Sequence, residues 1–311
     1  MLPTASVGSA RERYPKDPAA AGLEIRLAAV LNRGSDRRVS GAAHEAVYRR
    51  SPGSVEGRRH AVMAVTHYAS VNNKAVYIQA ASLAEELLAA FPKGVSAEES
   101  GWQAVAQWRR GNEWAKSNAA GTKLLAKGLP ATPERKRQLH LMMGENYGRL
   151  GQWANASDSY GKARAIRDSQ DVHYLSITAL SNNQAAKAAQ MKPVVDDYLR
   201  KYPARPDRFE RLGLLAGKYE QAKDLPNANR IFVQLLPLSA RSHSAASAYL
   251  RTRGNEPADH VASEKVLLDA IGRNPNLGDK AYLRSVLAFE VYRDRMKQVD
   301  KTRAVLRQLV S

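Results

Sequence analysis

The chain contains no cysteine, and that one absence removes a disulfide framework, a thiolate metal site and a cysteine nucleophile together. Aromatic residues are scarce, at 7%, and alternating runs of β-branched residues, the pattern of half-buried strands, are few. No apolar run approaches the roughly 20 residues that a helix needs to span a bilayer. Residues 1–20, MLPTASVGSARERYPKDPAA, lack the apolar core of a secretory signal and read as a mobile tail. A nucleophile elbow, a Walker loop and a dinucleotide glycine fingerprint are also missing, because Gly144, Gly148 and Gly151 have neither the spacing nor a preceding strand. No long Pro/Gly/Ser-rich linker divides the 311 residues, so residues 21–311 are expected to form one domain.

Acidic residues are in deficit as well. Against 48 Lys and Arg stand 30 Asp and Glu, a formal charge of +18. Such a field favours anionic partners and speeds their encounter. The basic residues come in short clusters spread along the chain, among them Arg49-Arg50, Arg109-Arg110, Arg135-Lys136-Arg137 and Arg200-Lys201. A dedicated nucleic-acid module concentrates them more. The groups that usually carry catalysis or bind metal are dispersed too. Of the seven histidines only His60 and His67 share a helical face, and neither is read as having a carboxylate at ligand spacing. The adjacent carboxylates Glu85-Glu86, Glu98-Glu99 and Asp196-Asp197 diverge on a helix. No catalytic, cofactor-binding or metal-binding residue is assigned. The four tryptophans, Trp102, Trp108, Trp114 and Trp153, with arginines beside Trp108, admit a stacking platform, but wedging between helices is favoured for them.

What the sequence does hold is a packing pattern. In GENYGRLGQWANASDSYGKA, Gly144, Tyr147 and Leu150 recur on one helical face, and Gly151 supplies the freedom at positive φ that ends a helix. Trp153, Ala156, Tyr160, Ala163 and Ile166 then form a second apolar stripe. Small residues fall where two helices of a hairpin approach, and rings fill the space beside them. The same spacing returns in FERLGLLAGKYEQAKDLPNANRIFVQLLPL, with Ala216, Tyr219, Ala228 and Phe232. Amphipathic segments ending at Pro92, Pro130 and Pro203 fill the rest.

These residues resemble the tetratricopeptide repeat, a helix-turn-helix unit of 34 residues. The best copies run over 137–170 and 209–242; the tryptophan usual near the repeat start and the closing proline are absent. The resemblance implies an all-α, right-handed superhelical solenoid, each repeat stacked on its neighbours. It also implies that the first helix of each hairpin lines a groove. In the best copy those places are Gln138, Leu141, Glu145 and Arg149; in the next they are Glu210, Gly213, Gly217 and Gln221. Leu141 and Glu145 do not match the Lys and Asn with which chaperone-binding members hold a terminal carboxylate.

The expected function is a non-catalytic scaffold that holds a peptide or protein partner in the groove, with a preference for a cell-envelope or periplasmic setting from which a signal has been removed, and the cytoplasm otherwise. Two other readings stay open. One is a binder of an anionic polymer, nucleic acid or acidic glycan, through basic groups such as Arg135, Lys136 and Arg137. The other is a helical accessory region of an envelope enzyme.

Overall fold

The computed structural model describes residues 36–240 and 244–310, together with Arg26 and Val30. The tail assigned to residues 1–20 lies outside them. Among the described residues there is no strand, and fifteen α-helices follow one another. The chain divides into two compact units, up to Arg167 and from Asp168 onward.

Unit 1 comprises α1 (Arg37–Arg50), α2 (Val55–Ala69), α3 (Lys74–Ala90), α4 (Val95–Arg110), α5 (Trp114–Ala126), α6 (Pro133–Arg149) and α7 (Trp153–Ile166). Each helix packs chiefly on its sequence neighbours, so the unit is a run of hairpins. Helix starts are set locally. The side chains of Asp36, Ser54, Asn73 and Thr132 each accept from a backbone N–H of the first turn that no helical carbonyl can reach, and Pro133 follows Thr132 where its missing N–H costs nothing.

The α6–α7 hairpin shows why its residues alternate in size. A Cβ on Gly144 would stand 2.6 Å from the Tyr160 ring, so only a glycine lets that ring lie flat across α6. Ala156 and Ala163, on the α7 face against α6, are fully buried. The turn closes with Gly151 at φ +70, and the N–H of Gln152 donates to the Tyr147 carbonyl. Two other hairpins use the same closure. Glu113 donates to the Trp108 carbonyl past Asn112, at φ 58, and Asp224 donates to the Tyr219 carbonyl past Lys223, at φ 59. The α4–α5 pair is therefore a third copy, in which Ser117 occupies the place of Ala156 and donates its hydroxyl to the Val105 carbonyl at 2.9 Å. Leu150 departs from its expected place in the apolar stripe. It follows the last helical residue of α6, where helical phase no longer applies, and is 38% exposed.

Unit 2 holds α8 (Gln170–Asn182), α9 (Ala188–Lys201), α10 (Arg208–Gln221), α11 (Leu225–Ser239), α12 (Ala245–Arg253), α13 (Pro257–Arg273), α14 (Leu277–Val286) and α15 (Val299–Val310). Ala216, Ala228 and Phe232, the second copy of the packing pattern, are buried in the core that α10–α14 share. Between α14 and α15, Leu287–Arg295 winds as a π-helix, which the regular apolar spacing there did not foretell.

A polar cluster lies between α1 and α2. Glu56, four residues before His60, lies 3.1 Å from its Nε2, which corrects the reading that His60 has no carboxylate at hand. A carboxylate only accepts, so His60 Nε2 carries a proton, and on its other side His60 Nδ1 lies 2.8 Å from His44 Nδ1, one ring donating to the other. His67 stacks on His44 with ring centroids 5.4 Å apart. All three rings are buried. Burial above all, then the neighbouring His60 and His67, hold His44 down from the ordinary 6.5 to about 4. Burial and Arg37 lower His67 in the same sense.

Two predictions follow from this packing. Gly144→Ala should cost about 1–3 kcal/mol by over-packing against Tyr160. Gly161→Ala, on α7 with nothing within 4 Å of the added methyl, should be neutral or stabilise by up to about 1 kcal/mol. Chemical denaturation of both variants checks this, and equal effects would contradict the packing.

The histidine cluster predicts acid sensitivity. The unfolded ring binds its proton near 6.5 and the folded His44 only near 4, so the unfolded state takes up more protons between those values. Stability is therefore whole above pH 6.5 and falls by about 2–3 kcal/mol on the way to pH 4. Denaturation midpoints across that window should slope less steeply in His44→Gln; parallel slopes would contradict the assignment.

Candidate functional site

In unit 1, α2, α4 and α6, the first helices of successive hairpins, share one side. Arg109 on α4 pairs with Glu145 on α6. Arg135 on α6 reaches back to Glu98 at 3.1 Å and Glu99 at 3.5 Å on α4, and its guanidinium lies 5.7 Å from the centre of the Trp102 ring. Between α2 and α4 a cleft of about 240 Å³ opens over α3. Its floor is Val65, Ala84 and Leu87, with Val62 at one side, and its opposite rim is Ser96, Glu99, Ser100 and Gln103. Val62 is 41% exposed, an apolar side chain presented at the cleft mouth. An apolar floor with a small convergent set of amide, hydroxyl and carboxylate groups suits an inserted side chain.

The four groove residues expected on α6 do not act alike. Gln138 is exposed and Leu141 half-buried. Glu145 is engaged with Arg109, and its charge adds to burial in holding the Tyr160 phenol up at about 12. Arg149 turns the other way, its guanidinium 4.9 Å from the centre of the Trp114 ring at the start of α5. The second set, on α10, has Glu210 and Gln221 exposed, Gly217 half-buried and Gly213 buried.

The basic triplet divides in three directions. Arg135 faces α4, as above. Lys136 is exposed. Arg137 is buried, donating from Nε to the Arg167 carbonyl at 3.1 Å and pairing with Glu134 at 3.3 Å, so it ties the end of α7 to the start of α6. Other clusters are spent in the same manner. Arg49 pairs with Glu45 and Glu86, and Arg110 stacks 3.9 Å from the centre of the Tyr77 ring.

Trp108 is 5% exposed and belongs to the unit 1 core, with the Lys116 ammonium 4.6 Å from its ring centre. Trp102, Trp114 and Trp153 are half-buried. The cleft residues Val62, Ser96, Ser100 and Gln103 were missed in sequence because they lie on hairpins whose repeat register the sequence does not reveal. The signal available was the turn at Asn112, which aligns α4 with α6 once Trp108 is matched to Tyr147.

No helix among the described residues is long and apolar enough to cross a membrane. No family model and no curated protein matches the chain. Among solved structures the chain is similar to the crystal structure of the P58(IPK) TPR domain, over 93% of this chain and 98% of that one, at 12% identity and a TM-score of 0.28. A score that low adds nothing to the argument, and the assignment of an all-α fold of sequential, tetratricopeptide-like hairpins rests on the Gly144–Tyr160 contact and the three matching turns.

Proposed function

We propose that this protein is a peptide-binding scaffold and that the shared side of α2, α4 and α6 receives a segment of its partner. The observation that carries the reading is the cleft between α2 and α4: a mostly apolar floor, an exposed valine at its mouth, and hydrogen-bonding groups on one rim. A peptide side chain anchored there would leave its flanking backbone to run along α4 towards Gln138 and Leu141 of α6. The Arg109–Glu145 and Arg135–Glu98 pairs fix the spacing of α4 and α6, so the receiving surface is preorganised and little binding energy is lost in ordering it.

The surplus of positive charge does not favour a polymer site on this side. Arg109, Arg135 and Arg137 each face a carboxylate, and Arg149 covers a tryptophan. A polyanion would have to break these pairs to reach the guanidinium groups. The scaffold reading therefore takes precedence over the anionic-polymer reading.

Two outcomes test this. Peptides selected from a random displayed library against the full chain should bind at least about tenfold more weakly to Val62→Asp and to Gln103→Arg, because an anchor pocket concentrates binding energy in few contacts. Circular dichroism of both variants should be unchanged. Peptides that bind both variants as tightly as the parent would place the binding surface elsewhere. For the polymer reading, heparin affinity should fall by about tenfold or more between 50 mM and 200 mM salt, as counterion release requires. Tight binding that persists at the higher salt and vanishes on changing Arg135, Lys136 and Arg137 to Glu would overturn the scaffold reading.

A further inference from the structure

A second cavity, of about 220 Å³, lies within unit 2. Helix α10 packs on both α9 and α11, and all three line it. From α10 come Leu212, Leu215 and Tyr219, three or four residues apart on one helical face. Asn227, Arg230, Ile231 and Gln234 face it from α11, again on one stripe, and Lys192 and Asp196 from α9. Leu215 is buried and Arg230 is exposed, so the cavity has an apolar bottom and a charged mouth.

The charges around that mouth do not balance. Lys192 pairs with Asp196, one turn further along α9. The Asp196 carboxylate, above all, holds the ammonium above its usual range, while Arg230 acts on it in the opposite sense, so the two cations feel each other. Arg230 itself has no carboxylate among the described residues. The Gln234 amide and the Tyr219 hydroxyl are likewise without a protein partner among them. With Lys192 and Asp196 cancelling, the lining keeps the single positive charge of Arg230 and two neutral donors beside it.

This lining selects its ligand by charge, shape and size. A guanidinium is a planar fork that matches a carboxylate through two parallel hydrogen bonds. A second negative charge on the same ligand would face Asp196, and like charges brought together are rejected. The floor of Leu212, Leu215 and Ile231 takes hydrocarbon, which an inorganic anion does not offer. The volume falls below the roughly 300–1,000 Å³ of pockets that enclose a drug-sized molecule, so the ligand is small.

We propose that this cavity binds a small monocarboxylic acid with an apolar tail, its carboxylate held by Arg230 and Gln234 and its tail laid on Leu212, Leu215 and Ile231. The Lys192–Asp196 pair forms the α9 wall and discriminates against dianions. None of these residues belongs to the cleft between α2 and α4, so the site stands or falls independently of the peptide-binding reading.

The test titrates octanoate, hexanoate and butanoate into the full chain and follows the side-chain amide of Gln234 by nuclear magnetic resonance. Octanoate should saturate the signal with a dissociation constant of about 1 mM or below. Each methylene that reaches the floor is worth about fourfold, so hexanoate should bind about tenfold or more tightly than butanoate. Octanamide, with the same tail and no charge, should bind at least about tenfold more weakly than octanoate. Arg230→Gln should weaken octanoate by at least about tenfold, and Asp196→Asn, which releases Lys192, should tighten it. Arg303→Gln removes an exposed cation on α15 and should change nothing. No shift at about 10 mM octanoate overturns the proposal, as does an equal affinity for the three acids. An equal loss in Arg303→Gln also overturns it, because it would mark a response to net charge alone. Inorganic phosphate that displaces octanoate at equal concentration would assign the cavity to a simple anion instead. A peptide with a free C-terminal leucine that binds more tightly than octanoate, and competes with it, would assign it to a chain terminus; either result contradicts the small-acid site.

Discussion

The contact between a glycine on one helix and a tyrosine ring on the next sets the geometry on which this structure depends. With no Cβ at Gly144, the Tyr160 ring lies against the α6 backbone, and the two helices approach closely enough for Ala156 and Ala163 to be fully buried. Gly41 and Tyr68 repeat the arrangement between α1 and α2, where an added Cβ would come to 2.5 Å from the ring. Close approach makes the hairpins narrow, and narrow hairpins bring α2, α4 and α6 onto one side where their polar residues can reach one another. A pairing such as Arg109 with Glu145 depends on this. The scaffold reading depends on it in turn, since the cleft between α2 and α4 exists only while those helices hold their spacing.

Charge is managed within the same frame. A chain of +18 would repel itself if its cations were left to solvent alone. Here many of the arginines in the clusters lie over aromatic rings or face carboxylates of a neighbouring first helix. Single exposed pairs of this kind contribute little energy. Their effect is to fix register: Arg109 and Arg135 are matched to carboxylates on a neighbouring helix, and a slipped packing would leave them without one.

Much of the fold was legible because the packing pattern is local. Gly144, Gly151, Ala156 and Tyr160 lie within seventeen consecutive residues, and the turn, the cap and the close contact are all set inside that window. The third hairpin was harder to read, since Ser117 stands where alanine was expected and Asn112 stands in for the turn glycine, although each performs the same physical task. Contacts between elements were not legible at all. His44 lies sixteen residues from His60, and Asp168 lies close to Asp197 only because α8 and α9 fold back on each other. The cleft stayed hidden for the same reason, because Val62 and Gln103 come together through helix packing and share no motif.

The most direct test of the central claim is a nuclear Overhauser measurement on the folded chain. If Gly144 lies beneath the Tyr160 ring, the two Gly144 Hα protons will show strong cross-peaks to the ring protons of Tyr160. Absence of those cross-peaks in a spectrum that resolves both residues would contradict the packing from which the hairpins, the shared helix face and the cleft all follow.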